Sequence, residues 1–362
     1  MRALTIAAHG GVDQLVVRDD LPTPELENPT DVMVRIRAGA LNHLDLFVLE
    51  GLPHTRIAPP WIVGSDGAGV ISAIGAKVAN LSVGDHVVIN PGTSCGVCEY
   101  CTSGDEPLCL SFRIYGEHLP GTLCDSMVVP ARNVRRIPPD IPFDVAAAFP
   151  LATLTAWRMV HTKAKVRAGD EVLIWGIGGG VALQALRICR ILGARVWVTS
   201  GSDDKLARAS ELGADVTLNH RKVDVGREVR ARTGKRGVDV VIDNVGEATW
   251  AQSSGALGKR GRLVTCGGTS GPHVVTDVRR LFWNQWTIMG STMGSQAEFD
   301  AITTEFAAGR LWPVVDSVFP LSRGREAYAR LGSGAQFGKV VVEIGADALA
   351  DRSSVAGALV GP

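Results

Sequence analysis

The sequence predicts an α/β fold in which a compact β-rich domain precedes a doubly wound parallel sheet. Two observations predict the sheet: from about residue 165, short β-branched runs alternate with stretches of helical period, and a glycine-rich turn joins the first run to its helix. A third divides the chain, since before residue 150 the pattern is short strands broken by Gly and Pro turns. The 362 residues also exceed the length at which one core stops growing, which lies near ~250–300 residues, so two domains are expected.

In chain order, DVMVRIRAGALN, GVISAIGAKV, GDHVVIN and MVVPARNVRRIP read as the strands of the first domain, with a boundary near FPLATLTAW. EVLIW (171–175), RVWVTS (195–200), DVTLN (215–219), VDVVID (238–243), GRLVTCG (261–267) and TIMGST (287–292) read as the parallel strands of the second. A helical stretch, SQAEFDAITTEFAAGRL, is followed by WPVVDSVFPL and GKVVVEI, strand-like pieces expected to return to the first domain. The expected units are 1–152 (with a cysteine lobe at about 92–112), 153–292 and 293–345, and the Ala- and Gly-rich tail 346–362 is expected to be frayed.

Composition excludes several function classes. Lys+Arg and Asp+Glu are 37 each, so no bulk field recruits nucleic acid or an anionic membrane. The amino terminus lacks the long apolar stretch of a secretory signal, and no apolar run nears the ~18 residues of a membrane span. The expectation is a cytoplasmic protein.

The glycine turn carries the cofactor signal. EVLIW runs into Gly176, Gly178, Gly179, Gly180 and Val181, then into the helical LQALRICRILG. Glycines there permit a tight turn and let a pyrophosphate approach the free N–H groups at the helix start. The second strand ends at Ser200, where an NAD-preferring site places a carboxylate on the ribose 2′-hydroxyl. A small hydroxyl residue there leaves room for a 2′-phosphate, with Lys205, His220 and Arg221 to supply positive charge, so NADPH is favoured over NADH. Lys205 also has the simpler reading of a solvated helix residue beside Asp203 and Asp204. Asn244, Cys266, Gly267 and Gly268 follow strands on the edge of the sheet where open α/β folds accept ligands.

Cys95, Cys98, Cys101 and Cys109 form C-x2-C-x2-C-x7-C. Four thiolates match a closed tetrahedral zinc site that leaves no position for substrate, so the expected role is to hold the loop together. A redox pair at Cys95 and Cys98 is the alternative, and it leaves two cysteines unexplained.

A four-cysteine lobe within a β-rich domain, followed by a Gly-rich dinucleotide domain, resembles the medium-chain dehydrogenase/reductase family. The supporting stretches are AGALNHLD (38–45), VGSDGAGVISAIG (63–75), GDHVVI (84–89), the lobe, PLATLTAW (150–157), the glycine turn and FGKVVVEI (337–344), so the resemblance covers residues 1 to about 344. It implies a GroES-like catalytic domain and a Rossmann NADP-binding domain. In the family's zinc alcohol dehydrogenases, a Cys, a His and a second Cys hold a catalytic metal at positions matching Asn42, Ser65 and Leu151, and a proton-relaying hydroxyl matches Leu44. None of these residues can do the same job. The active-site residues look like those of the quinone oxidoreductase branch. By the same analogy Asn42 and Asp45 lie near the nicotinamide (turn chemistry being the simpler reading), Thr155 contacts the cofactor or caps a helix, and Lys339 meets the pyrophosphate.

Without zinc the main means of making an alkoxide near neutral pH is lost, whereas hydride addition to a conjugated acceptor spreads the charge and needs only hydrogen-bond donors. The expected function is therefore NADPH-dependent reduction of a quinone or α,β-unsaturated carbonyl, with one structural zinc per chain. The alternatives are an alcohol dehydrogenase or carbonyl reductase, with Asp66 or His43 recruiting a metal, and a non-catalytic NADPH sensor. His43, Tyr115 and His118 are the candidate proton donors, with water an equal hypothesis. Trp61, Phe282, Trp283 and Trp286 are expected in the pocket walls, and TIMGST is expected to extend the sheet across a homodimer by analogy with the family.

Overall fold

The computed structural model describes residues 1–52 and 55–345; the tail from residue 346 lies outside the described residues. Glu171–Ile174, Arg195–Ser200, Val216–Asn219, Val238–Asp243, Leu257–Thr265 and Thr287–Gly290 form one parallel six-stranded sheet in the spatial order third, second, first, fourth, fifth, sixth. Their interiors are almost wholly buried, as expected of strands covered by helices on both faces. The order reverses at the first strand, which is where such sheets open a crevice beyond their carboxyl ends.

The fifth strand begins four residues earlier than GRLVTCG suggests. Gly258, Lys259 and Arg260 lie within the strand, and a register shift between Val238 and Val240 of its neighbour absorbs them. TIMGST is shorter than expected, pairing only over Thr287–Gly290.

The first domain is built on a seven-stranded sheet. Val134–Arg136, His86–Ile89, Asp66–Ile74 and Asp31–Ala40 run from one edge, and Ser126–Pro130 pairs with Asp31–Ala40. Lys339–Glu343 and Val315–Pro320 complete it from the far end of the chain, with Val341 opposite Ala40. The return of the C-terminal strands carries Lys339 to the floor of the cleft described below.

One apolar cluster joins the two sheets. Ala40 and Ala68 of the first meet Val172 and Ile174 of the second through Phe149 and Leu154. Phe149 stacks on Phe306 with ring centroids 4.2 Å apart, a contact of a kind that contributes about 0.5–1.5 kcal/mol beyond its buried area. Leu154 lies in the helix Pro150–Trp157, whose first residue is a proline and whose last turn widens into the π-helical Arg158–Lys163. Among the described residues no helix is long and apolar enough to cross a membrane.

Candidate active site

A cavity of about 1000 Å³ opens along the carboxyl edge of the parallel sheet and continues under the first domain. Gly176, Gly179, Gly180, Val181, Ser200, Lys205, His220, Arg221, Asn244, Cys266, Gly267, Thr155, Asn42 and Lys339 all line it, so the residues picked from sequence for the cofactor, Gly178 and Gly268 excepted, converge on one cleft.

The glycine turn is shaped for an anion. Gly176 and Gly178 have φ of +70° and +121°, which only glycine adopts freely. The helix Gly180–Ile191 starts with no side-chain cap, leaving its first N–H groups to the cleft. A Cβ on Gly180 would fall 2.9 Å from Lys339 Cδ and 3.0 Å from Ala152 Cβ. Asn244 Oδ1 is buried with no partner among the described residues, an orphan acceptor beside the turn that a bound ligand's donor would satisfy. Gly178 and Gly268 do not line the cavity themselves; Gly178 instead supports the turn by accepting from Gly338 N at 2.9 Å. A dinucleotide phosphate fits these residues.

At the end of the second strand, Ser200 is 5% exposed and its Oγ accepts from Ser202 N at 3.1 Å. Arg221 folds over Gly201, where a Cβ would come within 2.6 Å of its Nε and 3.1 Å of His220 Nε2. Burial, and secondarily the Arg221 charge, lowers the His220 pKa, so the standing positive charge here belongs to Arg221. Asp203 does not offset it, because its carboxylate is taken by Lys222 at 2.6 Å and Asn219 at 2.7 Å. Lys205 is neither a free phosphate ligand nor simply solvated: its Nζ donates to Gly334 O at 2.6 Å, and its stem lies against Gly178.

The floor of the cleft is a buried charged network. Lys339 is 4% exposed, buried within its strand. Its Nζ donates to Asn42 Oδ1 and, at 3.0 Å, to Asp66 Oδ2. Asp66 is fully buried and also accepts from Asn42 Nδ2 at 2.9 Å and, through Oδ1, from Leu151 N at 2.7 Å. The carboxylate therefore serves at once as counter-ion to Lys339 and as a cap on the positive end of the helix Pro150–Trp157. Its oxygens are engaged, so it cannot serve as a free metal ligand without breaking the network. Ser65 is fully buried and does not line the cleft, and Leu151 offers only an alkyl side chain to it.

Several sequence expectations require correction. Asp45 lies beneath the cleft, not beside the nicotinamide position: it is 3% exposed and closes a capping box, accepting from Asn42 N at 2.6 Å. Burial pushes its carboxyl up to about 7 against the pull of that N–H and of Lys339. Because the folded form then holds the proton more tightly than the unfolded chain, this group stabilises at low pH, and its contribution is lost as pH rises from its ordinary value of 3.8 through about 7. Chemical-denaturation midpoints at pH 4.5 and 7.5 should therefore differ less in Asp45→Asn than in the parent protein.

Tyr115 is likewise not at the cleft. It is 5% exposed, packs in the core of the first domain, and its hydroxyl is driven further from ionisation by burial. Trp61, Phe282, Trp283 and Trp286 do not line the cavity: Trp61 Nε1 donates to Gly116 O, Trp286 Nε1 donates to Gly258 O, and Phe282 and Trp283 are exposed on the short helix Val278–Asn284. Aromatic content marked them, and position in the fold placed them elsewhere. The apolar wall is made instead by Leu44, Phe47, Phe112, Ile114, Leu151 and Met293. Thr155 lines the cavity from within its helix and so is no cap.

His43 and His118 do reach the cleft. His43 is exposed to the open cavity yet surrounded by protein, and its pKa is lowered by burial first and by Lys339 second. His118 Nδ1 accepts from Ile114 N at 3.3 Å and lies 3.6 Å from Glu117. Glu117, which sequence reasoning missed, also lines the cavity; burial raises its pKa and His118 opposes the rise. Adjacency to His118 was the only signal it carried.

The four cysteines converge away from the cleft, with all Sγ atoms within 4.8 Å of one another. Zinc–sulfur bonds of ~2.3 Å in a tetrahedron put sulfurs ~3.8 Å apart. Cys95 and Cys101 stand at 3.8 Å and Cys98 and Cys101 at 3.5 Å. Backbone N–H groups point at the sulfurs from Cys95, Gly96, Val97 and Cys98 at 3.3–3.5 Å, and those of Val97 and Cys98 help bring Cys95 down to about 6. Gly96 has φ of +81°, and a Cβ there would strike Arg132 Nη1 at 2.3 Å. The donor set and its size fit zinc.

A β-rich domain and a parallel-sheet domain with the cleft at the switch point of the sheet define a class, and comparison with known proteins agrees. Residues 28–139 match the alcohol dehydrogenase GroES-like domain and residues 180–308 the zinc-binding dehydrogenase family. The chain belongs to the medium-chain dehydrogenase/reductase family. It is 33% identical to a zinc-type alcohol dehydrogenase-like protein of Schizosaccharomyces pombe, over 92% of this chain and 96% of that one. It is 27% identical to the quinone oxidoreductase of Homo sapiens, over 94% and 97% of the two chains. Among solved structures it is similar to one described as an NAD-dependent alcohol dehydrogenase, with a TM-score of 0.91 and 42% identity over 95% of this chain and 100% of the other.

Proposed function

We propose that this protein is a cytoplasmic NADPH-dependent reductase of quinones or α,β-unsaturated carbonyl compounds that works without a catalytic metal. The observation that carries the reading is the floor of the cleft. By resemblance, Asn42, Ser65 and Leu151 match the positions at which the family's alcohol dehydrogenases hold zinc, and Lys339, Asp66 and Asn42 are already satisfied by one another. When bound, the dinucleotide supplies the hydride. Gly176, Gly179 and Gly180 with Val181 hold its diphosphate on the turn that Gly178 supports, while Arg221 with Ser200, His220 and Lys205 faces the adenosine ribose. Asn244, Cys266 and Gly267 take the nicotinamide side with Thr155. The Lys339 ammonium, paired with the Asp66 carboxylate, donates to Asn42 Oδ1 and so holds the Asn42 amide in one orientation. His43 and His118 are the proton-donating candidates that reach the cavity.

The apolar wall suits an uncharged, conjugated acceptor, whose enolate or hydroquinone anion spreads its charge and needs no Lewis acid. Cys95, Cys98, Cys101 and Cys109 hold one structural zinc. The reading also takes 1–152 with 293–345 as the catalytic domain and 153–292 as the dinucleotide domain. A homodimer pairs Thr287–Gly290, an edge strand of the sheet, with its copy. A screen of NADPH oxidation against quinones, enals and enones tests the function. Turnover with conjugated acceptors and little with simple alcohols is expected; activity confined to NAD-linked alcohol oxidation overturns it.

A further inference from the structure

The four-cysteine lobe is tied to the substrate wall of the cleft through one buried arginine. Arg158 sits in the π-helical turn after Pro150–Trp157 and is 4% exposed. Its Nη2 donates to Asp105 Oδ1, between Cys101 and Cys109 in the lobe, and its Nη1 donates to Glu298 Oε2 at 2.9 Å. Asp105 is built into the lobe, receiving Leu108 N and giving its own N–H to Tyr100 O. Glu298 is 9% exposed and closes a capping box with Ser295, accepting from Ser295 N at 2.6 Å, while Thr162 Oγ1 donates to its other oxygen. A second link runs from Gln296 N to Glu106 Oε2 at 3.4 Å.

Immediately before that capping box comes the wall. Thr292 and Met293 line the cavity, and Met293 packs on Ile114 and Leu151 while holding a left-handed φ of +48°. A methionine keeps such a backbone only when its surroundings over-determine it. The surroundings here are Gly294, jammed so close that a Cβ would fall 2.4 Å from Leu154 Cδ1 and 3.0 Å from Glu298 Oε2, and the capping box itself. The strained backbone of Met293 thus leads through Gly294 and Ser295 to Glu298, Arg158 and the lobe, while Phe112, at the end of the lobe, packs against the same cluster of Ile114, Leu151 and Met293.

We propose that Arg158 is a positioning residue that couples the four-cysteine lobe to the Met293 wall, so that the state of the lobe sets the apparent affinity for substrate. The carboxylates of Asp105 and Glu298 need the same guanidinium, and a lobe that loosens releases one of its two anchors. The capping box then holds the strained backbone with less support. Linkage is reciprocal, so a change on the wall side loosens the lobe in turn. The substrate part of the inference rests on the reading of the cleft as the active site; the mechanical part does not.

The test uses the full-length zinc-loaded protein and two variants, Asp105→Asn on the lobe side and Glu298→Gln on the wall side. In Asp105→Asn, amide exchange over residues 292–298 should rise, and KM for the carbonyl acceptor should rise about three- to tenfold, the size that coupling through a packed network ordinarily reaches, with kcat and NADPH affinity little changed. In Glu298→Gln, which leaves the lobe sequence intact, zinc transfer to a chromophoric chelator should run about threefold faster or more. If one variant does not fold, the other still decides. Unchanged exchange over 292–298 in Asp105→Asn, or an unchanged zinc-transfer rate in Glu298→Gln, overturns the proposal. Altered exchange and zinc transfer with no NADPH turnover in any of the proteins upholds the coupling and strikes the functional reading instead.

Discussion

Arg221→Ala should lower kcat/KM for NADPH about 10- to 100-fold and leave kcat/KM for NADH within about twofold. The range is that of one charge-assisted hydrogen bond lost to a phosphate, roughly 1.5–3 kcal/mol. The expectation rests on which charges remain at the end of the second strand: Lys205 is committed to Gly334 O, the pKa of His220 is lowered by its surroundings, and Asp203 is neutralised by Lys222 and Asn219. A 2′-phosphate beside Ser200 would meet Arg221 before any other cation. Steady-state kinetics with both cofactors checks it, and an equal loss with NADH and NADPH would show that Arg221 serves the fold and not the phosphate.

Lys339→Met should destabilise the protein by about 3–5 kcal/mol, the cost of leaving a buried charge without its partner. Asp66 is fully exposed to the consequence, since Lys339 supplies its only countercharge among the described contacts and Asp66 in turn caps the helix carrying Leu151, Leu154 and Thr155. A fall in the thermal midpoint of about 6–20 °C is expected, at the roughly 2–4 °C per kcal/mol of a domain of about 150–250 residues. Asp66→Asn in the same chain should restore part of the loss, because the orphaned charge is then removed with its partner. Thermal melts of the single and double variants decide; a double variant no more stable than Lys339→Met alone would mean that the ion pair is not what Lys339 contributes.

Much of the parallel sheet was legible in the sequence because its strands are doubly covered and so read as unbroken β-branched runs between helices. The early start of the fifth strand was not legible, because Gly258-Lys259-Arg260 interrupts the β-branched run and joins the strand only through a bulge in the pairing. The glycine-rich end of the cleft was legible for a related reason: a tight turn from strand to helix needs glycines at fixed spacing, and spacing is visible in one dimension. The substrate end was not. Its wall is gathered from Leu44, Phe112, Ile114, Leu151 and Met293, residues of ordinary apolar type that become neighbours only when the two sheets pack. Exposed Phe282 and Trp283 drew attention by residue type alone. Asp45 shows the opposite limit: the simpler reading, turn chemistry with Asn42, was the right one, and the structure adds the burial that raises its pKa.

Metal content measured on the same sample as activity decides whether NADPH-dependent reduction here proceeds without a catalytic metal. About one zinc per chain, held by the four cysteines, together with NADPH-dependent reduction of enones or quinones that survives a brief chelator treatment, is the predicted result. A second, labile zinc whose removal abolishes turnover, or oxidation of simple alcohols as the main activity, would contradict it.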